Sequence, residues 1–480
     1  MSKDTVTIDS IFKELGPFGR YNVVNYALLL FPCYLAALYG SVFNFEALDI
    51  SYRCEVPQCE SINETLWLQY AIPTENGEFS KCKMYQYIDG AEGCTKEAFN
   101  RSTIRECDRY VYSDDDSVVV DFDLGCQNWK RTLVGSIHNA GFFISLPLTG
   151  ILSDKFGRKI AISVASLLNG ICGIARSFST SYIMFIGLEF AEAALGGGAY
   201  CTAFVLAMEL VEPKGRVFGN TLINFVFVFG LMTLAGLSWW LQNWRYLLRI
   251  IYTPPLLILS YLFILNESPR WLFSKGRLQE GVDILKKAAK MNKVTIAEDK
   301  LNPQNFIKRE TDEDNDDKKS FYTFMRVIKS PTIRTRLVIC SYMWITCTFV
   351  YYGLSINSVS LAGNRYLNFM LVGFVEMPAN AVCLLVLNRF GRKRIIIITY
   401  VLSGCLCISL SMLPKDHIWG PLILYLCGKF SITVAYSSVY IYVSEVFPTN
   451  ARQSLLAICS TTGRIGSTLA PLTPLLVSQE

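Results

Sequence analysis

Long apolar runs are the feature that most constrains how this chain folds. Residues 23–43, 160–175 and 395–413 are three of them. Runs of this kind match the hydrocarbon core of a bilayer, which is about 30 Å thick and needs roughly 18 or more apolar residues to cross. They lack the strict alternation of apolar and polar residues that membrane β-barrel strands require. Only 18% of the residues are charged and 51% are hydrophobic, so we predict an all-α, polytopic membrane protein.

The distribution of basic residues predicts the topology. We expect eleven spans, at residues 22–44, 132–152, 160–177, 182–210, 217–238, 247–265, 337–356, 366–387, 395–413, 419–444 and 453–477. Alternate loops concentrate lysine and arginine, and such loops lie on the cytoplasmic side. The polar start of the chain has no cleavage site of the signal-peptide type. The N-terminus is therefore expected in the cytoplasm, with residues 45–131 outside.

The long segment between the first two spans is rich in cysteine. An even number of cysteines in an extracellular segment indicates disulfides, here three, although six cysteines allow fifteen pairings. The same segment carries two glycosylation sequons, at Asn63 and Asn100. The six cysteines are Cys54, Cys59, Cys82, Cys94, Cys107 and Cys126.

Two loop motifs occur twice in the chain. GILSDKFGRK at 150–159 matches LVLNRFGRKR at 385–394, and ELVEPKGR at 209–216 matches EVFPTNAR at 445–452. Nearly equal offsets predict two similar halves in parallel orientation, which enclose a midplane cavity in many secondary transporters. Partly solvated ion pairs in these loops are weak enough to form a reversible cytoplasmic gate. The predicted gate residues are Asp154, Arg158, Glu209, Arg216, Glu267, Arg270, Arg392, Glu445 and Arg452.

Spans and loops divide the chain into four parts. We expect an N-terminal cytoplasmic segment (1–21) and a first bundle of six spans (22–265) that includes the cysteine-rich segment. A cytoplasmic helical lobe (266–336) and a second bundle with spans seven to eleven (337–480) follow.

Several motifs together resemble one transporter family. Gly150, Asp154, Gly157, Arg158 and Lys159 form the GxxxDxxGRK loop signature of the major facilitator superfamily. With NESPRWLFSKGR, GKFSITVAYSSVYIYVSEVFPTNAR and the cysteine-rich segment, the chain is similar over nearly its whole length to solute carrier family 22, the organic cation, organic anion and carnitine transporters. The resemblance implies the major facilitator fold, with two pseudo-symmetric six-helix bundles, a central cavity and alternating access.

The chain departs from that family pattern at several positions. It ends after the eleventh predicted span, so the twelfth span is absent from this chain. Asn388 stands where the first-half loop has Asp154. Glu189 stands where related transporters usually have arginine, and Arg176 is a potential partner for it.

Charge inside the membrane is costly in free energy and so marks candidate substrate sites. Arg464 lies about 18 Å along a helix from Arg452, at 1.5 Å per residue, which is near the membrane centre. The hydroxyl residues Ser460, Thr461, Ser467 and Thr468 surround it at helical spacing. In the family, anion and carnitine carriers tend to have arginine at this position. Cation and carnitine carriers tend to keep an acid at the position of Glu376, so the combination resembles the carnitine branch.

The two charges suggest how a substrate binds. A substrate carboxylate could form two parallel hydrogen bonds with Arg464, and a cationic nitrogen could contact Glu376 and aromatic faces. In a purely structural alternative, Arg464 and Glu376 pair with each other. His138 has no evident partner. The candidate substrate-binding residues are Arg464, Glu376, Trp344, Tyr351, Tyr352, Phe430, Tyr436, Asn139 and Lys429.

The leading hypothesis is a multi-pass plasma-membrane carrier of small organic zwitterions or anions. The alternatives are an organic cation carrier driven by the membrane potential and a non-transporting receptor or scaffold. The sequence shows no metal-ligand cluster and no phosphate-binding loop, so we expect neither an enzyme nor a cofactor. Expected partners are the small organic ion and the lipid bilayer, without nucleic acid, and the chain is expected to be a monomer. Coupling to sodium or protons is left open.

Overall fold

The computed structural model is mostly helical. It describes residues 8–16, 19–61, 65–75, 78–88, 91, 93–112, 116–212, 215–306, 329–412, 419–448 and 452–477. In chain order the helices are α1 (Ile8–Leu15), α2 (Arg20–Tyr39), α3 (Phe43–Glu46), α4 (Leu68–Ala71), α5 (Val118–Asp121), α6 (Asn128–Phe156), α7 (Arg158–Arg176), α8 (Tyr182–Gly196), α9 (Ala199–Glu209), α10 (Arg216–Leu241), α11 (Trp244–Leu257), α12 (Tyr261–Ile264), α13 (Pro269–Ser274), α14 (Leu278–Asn292), α15 (Pro331–Ile356), α16 (Arg365–Phe374), α17 (Glu376–Phe390), α18 (Arg392–Ser411), α19 (Trp419–Val446), α20 (Arg452–Leu469) and α21 (Thr473–Val477).

Each of the eleven predicted spans coincides with long helical structure, which confirms the prediction of a helical membrane fold. Within the described residues, nine helical segments are long and apolar enough to cross a membrane. The two remaining spans, α6 and α20, are long but more polar. They pack against each other at the contact between the two halves. The two more polar spans therefore meet at the contact between the halves, where a transport site is expected.

Among the spans that the sequence predicts as continuous, the fourth and the eighth are interrupted inside the span. The fourth span breaks at Gly197 between α8 and α9, within a run of three glycines. A side chain at Gly198 would overlap Thr149 of α6, so close helix packing requires glycine there. The eighth span breaks at Val375 between α16 and α17. Pro378 lacks an N–H group to donate to the carbonyl one turn earlier, which explains an interruption at this point.

Contacts between the halves include an aromatic cluster at the end of the molecule that carries the cysteine-rich segment. The Tyr366 ring stacks against Phe45 at 5.7 Å and against Trp239 at 6.0 Å between ring centroids. Phe369 packs edge-on against Phe45 at 5.0 Å. Near the same end, Gly135 of α6 lies against Pro471. The two halves are thus in contact on the cysteine-rich side.

In the second half, α15 and α20 pack closely along their length. A side chain added at Gly463 would overlap the Trp344 ring, and one at Gly466 would overlap the backbone oxygen of Ile345 and the hydroxyl of Thr348. The hydroxyl of Thr348 donates a hydrogen bond of 2.6 Å to the carbonyl oxygen of Gly463. These glycines allow the α20 backbone, and Arg464 with it, to approach α15.

The cysteine-rich segment contains short β-structure that the sequence analysis did not predict. Six strands form three antiparallel pairs, β1 with β6, β2 with β3 and β4 with β5. The strands are β1 (Tyr52–Cys54), β2 (Thr74–Glu75), β3 (Glu78–Phe79), β4 (Lys83–Tyr87), β5 (Phe99–Glu106) and β6 (Tyr110–Tyr112). Of the two sequons, Asn100 is exposed on β5, and Asn63 lies outside the described residues.

All six cysteines of this segment form disulfides, as predicted, and the structure selects one of the fifteen pairings. Cys54 pairs with Cys107, Cys59 with Cys94 and Cys82 with Cys126, with Cα–Cα distances of 5.5, 5.9 and 5.7 Å. Three crosslinks stabilise a segment whose small core would be marginal without them.

The N-terminal helix and the lobe after the sixth span pack together at the opposite end. The Asn292 side chain, at the end of α14, accepts a hydrogen bond from the Tyr21 N–H at 2.8 Å and donates one to the Leu15 carbonyl at 3.1 Å. Lys300 forms an ion pair with Glu14. Of the lobe predicted over 266–336, residues 307–328 lie outside the described part of the chain.

Candidate functional site

A buried lysine and a buried glutamate form an ion pair inside the second half. Glu376 begins α17 at the break in the eighth span, and Lys429 lies on α19; they are 6% and 0% exposed. The Lys429 ammonium lies 2.9 Å from a Glu376 carboxylate oxygen and donates a 2.6 Å hydrogen bond to the Ser355 hydroxyl. The Tyr351 hydroxyl donates a 2.6 Å hydrogen bond to Glu376. Glu376 is therefore neutralised by Lys429 and not by Arg464, contrary to the purely structural alternative.

Arg464 lies on α20 without a carboxylate partner among the residues that the structure describes. Its guanidinium lies over the Phe142 ring of α6, 5.0 Å from the centroid. It also interacts electrostatically with the phenol groups of Tyr352, Tyr436 and Tyr440. Arg464 is half-buried, and among the described residues its guanidinium has aromatic neighbours but no anionic one.

Two of the hydroxyl groups near Arg464 bond to its backbone. Ser467 and Thr468 donate hydrogen bonds of 3.0 and 2.9 Å to the Arg464 backbone carbonyl. The predicted hydroxyl stripe therefore binds the helix backbone at these two positions, as serine and threonine often do inside membrane helices.

Tyrosine rings form a continuous row beside Arg464. Tyr351 stacks on Tyr436 at 5.0 Å, and Tyr436 meets Tyr440 at 5.4 Å. Tyr352 packs edge-on against Tyr351 at 5.3 Å, and Trp344 packs against Tyr440 at 4.5 Å. The structure thus brings together four of the five predicted aromatic residues and adds Tyr440.

Two predicted residues lie apart from this row. Phe430 packs against Ala379, Cys383 and Leu387 on the side of α19 that faces α17. The Asn139 side chain donates a 2.8 Å hydrogen bond to the Gly135 carbonyl of its own helix.

The first half contributes residues that the sequence analysis missed. Phe142 contacts Arg464, and Tyr200 and Cys201 of α9 interact electrostatically with Tyr352, Tyr440 and Arg464. Their residue types are common in any apolar helix, so the sequence offered no signal for them.

A second buried ionic group lies inside the first half, and the sequence analysis found only part of it. We call it the acidic cluster: Glu46, His138, Arg176, Glu189 and Glu192, each at most 1% exposed. Arg176 pairs with Glu189, as anticipated, and lies 2.9 Å from Glu46 and 3.8 Å from Glu192. His138, for which no partner was evident, has its Nδ1 2.8 Å from Glu189 and 3.5 Å from Glu192.

His138, Glu189 and Glu192 offer potential metal-ligand atoms that all lie within 4.8 Å of one another. The Arg176 guanidinium already pairs with Glu189 and lies beside Glu192. A divalent ion would sit against that fixed positive charge. We therefore do not assign these residues as metal ligands.

The predicted gate residues of the first half form a connected network. Arg158 contacts Asp154 at 3.1 Å and Glu209 at 3.2 Å. The Glu267 carboxylate accepts hydrogen bonds from the backbone N–H groups of Arg158 and Lys159, both at 3.1 Å. Burial raises the pKa of Glu267, and hydrogen bonds from backbone N–H groups oppose that rise. Arg270 donates a 3.2 Å hydrogen bond to the Glu209 carbonyl.

In the second half, Arg392 pairs with Glu445 at 3.1 Å. Arg216 and Arg452 begin α10 and α20, and the side chains of Arg452 and Asn388 lie outside what the structure describes. Both described networks join loops of the same half. They brace each half internally and do not join one half to the other.

Comparison with known proteins decides the family. A family model described as "Sugar (and other) transporter" matches residues 77–479. The "Organic cation transporter protein" of Drosophila melanogaster is 30% identical over 98% of this chain and 86% of its own length. The chain belongs to the organic cation and carnitine transporter family of the major facilitator superfamily. The "Organic cation/carnitine transporter 2" of Mus musculus is 29% identical over 98% of this chain and 86% of that protein.

The fold of this member of the organic cation and carnitine transporter family resembles that of solved structures. The xylose transporter XylE from E. coli, in a partially occluded inward open conformation, superposes with a TM-score of 0.60 at 18% identity. The match covers 94% of this chain and 90% of that one. The chain is thus a multi-pass membrane transporter of small organic substrates, and no enzyme.

Proposed function

We propose that this transporter moves small organic ions that carry a carboxylate, either zwitterions or anions. The observation that carries the proposal is Arg464, a guanidinium between the halves that has no carboxylate partner among the described residues. An unpaired intramembrane charge is costly, and a substrate carboxylate would neutralise it through two parallel hydrogen bonds. Glu376 is less available to a cation because Lys429 already lies 2.9 Å from it.

The tyrosine row supports a zwitterionic substrate within this class. Tyr352, Tyr436 and Tyr440 lie close enough to Arg464 to interact with its charge, and their ring faces can hold a quaternary ammonium group next to a bound carboxylate. The mouse relative is named for carnitine, which has both groups.

We further propose that substrates cross by alternating access in the plasma membrane, with the N-terminus in the cytoplasm. The aromatic contacts of Tyr366 hold the halves together at the cysteine-rich end. The described ion pairs at the opposite end stay within one half. This distribution supports a state closed on the cysteine-rich side. Disulfides form in oxidising compartments, which favours the extracellular side for that end.

Uptake by purified protein in liposomes tests the proposal, with radiolabelled carnitine, p-aminohippurate and tetraethylammonium as probes. A hydrogen bond to a charged group contributes about 1.5–3 kcal/mol, so Arg464→Gln should lower kcat/KM for carnitine and p-aminohippurate roughly 10- to 100-fold. The matched control is Arg334→Gln, because Arg334 is exposed at the start of α15. Carnitine and p-aminohippurate uptake that survives Arg464→Gln would refute the proposal.

Organic cation transport is the second candidate. The Drosophila relative is named as an organic cation transporter, and the Glu376 carboxylate is an acid inside the membrane. A cation could compete with Lys429 for that carboxylate. In this case tetraethylammonium would be taken up well, Arg464→Gln would leave its uptake intact, and Glu376→Gln would abolish it.

A further inference from the structure

The acidic cluster of the first half has more negative than positive charge. Three carboxylates, Glu46, Glu189 and Glu192, face a single guanidinium, Arg176, and all four are at most 1% exposed. If every carboxylate were ionised and His138 neutral, the group would carry a net charge of −2. An uncompensated charge out of water costs several kcal/mol even after relaxation. The cluster therefore needs a further positive charge.

Among the residues that the structure describes, the other groups that face the cluster do not supply that charge. From α2 and α11, Tyr39 and Tyr252 contribute phenols, and Tyr252 accepts a 3.2 Å hydrogen bond from Arg176. From α7, Cys172 contributes a thiol, and the Asn169 amide donates a hydrogen bond to Glu192. Phenols, thiols and amides are neutral or become negative.

We propose that the acidic cluster binds protons and couples their movement to transport. The Nε2 of His138 and one carboxylate oxygen each of Glu46 and Glu192 are buried without a hydrogen-bond partner, so these atoms can accept a proton. A proton from water on one side forms an O–H or N–H bond in the cluster. It leaves to water on the other side after the halves have moved. Buried groups of acid and histidine at membrane depth are typical of proton relays.

The structure offers a short connection between the cluster and the proposed substrate site. The His138 ring packs edge-on against Phe142 at 5.4 Å, and the Arg464 guanidinium lies on the same ring at 5.0 Å from its centroid. A single phenyl ring thus separates the cluster from the residue proposed to bind the substrate carboxylate. Protonation of His138 would place a second cation close to Arg464 and strengthen anion binding there. This coupling rests on the proposed function, whereas proton binding itself does not.

The first experiment measures proton binding without a substrate. Infrared difference spectra of the purified full chain between acidic and neutral pH should show a protonated carboxylic acid whose band disappears in Glu192→Gln or Glu46→Gln. Glu280→Gln is the control, because Glu280 is exposed and forms an ion pair with Arg277 at the surface. If either buried variant fails to fold, His138→Gln should shift the midpoint of the same band. Absence of a titrating buried carboxyl, or its appearance only after a chelator removes a metal, would overturn the inference.

The second experiment measures coupling in liposomes whose membrane potential is clamped. A pH difference of one unit should change the initial rate of radiolabelled carnitine uptake several-fold. Glu192→Gln should remove that dependence while exchange of labelled for unlabelled carnitine continues. Carnitine flux that ignores the pH difference would overturn the coupling. Failure of all three organic probes together with a titrating carboxyl would refute the proposed function instead and leave the proton site standing.

Discussion

The Lys429 ammonium lies 2.9 Å from the Glu376 carboxylate and 3.3 Å from the centroid of the Tyr351 ring. One lysine thus compensates an intramembrane acid and contacts an aromatic ring that belongs to the row beside Arg464. The Glu376 charge is thus neutralised by Lys429, whereas Arg464 has no carboxylate partner in the part of the chain that the structure describes. The distinction could not be made from the presence of an acid and a base in the sequence.

Loss of both members of this pair should cost less stability than the two single losses added together. Removing one partner of a buried ion pair typically costs about 3–5 kcal/mol, because the other charge is left uncompensated. We expect Glu376→Gln and Lys429→Met each to lower the free energy of unfolding by that order. The double variant should lose less than the sum, by about 0.5–3 kcal/mol. Denaturation in detergent followed by circular dichroism measures this cycle, and strictly additive losses would contradict the pairing.

The ion pair between Arg158 and Glu209 should contribute more to stability than the pair between Arg158 and Asp154. The side chains of Arg158 and Glu209 are 12% and 19% exposed, whereas that of Asp154 is 74% exposed. An exposed ion pair contributes about 0–1 kcal/mol to stability. A hydrogen bond to a charged group that is largely shielded from solvent contributes about 1.5–3 kcal/mol. Glu209→Gln should therefore lower the melting temperature clearly and Asp154→Asn only slightly. The reverse order in a thermal-shift assay would mean that the gate network is arranged differently.

Close packing between α15 and α20 predicts opposite effects for two glycine variants. Gly466→Ala places a methyl group against the Ile345 backbone oxygen, which cannot move aside as a side chain can, and we expect a loss of about 1–3 kcal/mol. Gly404→Ala on α18 meets no atom within 4 Å. It should be neutral or stabilise by about 0.5–1 kcal/mol, since alanine favours helix. Equal melting temperatures of the two variants would show that α20 lies farther from α15.

The sequence predicted the membrane-spanning elements well because their signal is local. The length of an apolar run identifies a span without knowledge of its neighbours. In the same way, the even number of cysteines in the cysteine-rich segment predicts its disulfides. The breaks at Gly197 and Val375 were missed, because the residues on both sides remain apolar although the helix is interrupted.

Side-chain partners were harder to predict, because they depend on how each helix is rotated and which neighbour it meets. Glu376 was matched with Arg464 as a potential pair, whereas Lys429 on α19 is the partner. His138 had no partner until the fold placed it beside Glu189. Arg176 and Glu189 were matched correctly, since their helices are neighbours in the chain, joined by the short loop 177–181. Partners from distant spans require tertiary structure.

The aromatic cluster of Tyr366, Phe45 and Trp239 has a thermal consequence. Opening the cysteine-rich end would separate these rings and expose apolar surface to water, which carries a heat-capacity change. Burial of apolar surface weakens as the temperature falls. Cooling should therefore shift the population of this transporter toward the form that is open at the cysteine-rich end. Its transport rates should follow a curved rather than a straight Arrhenius plot.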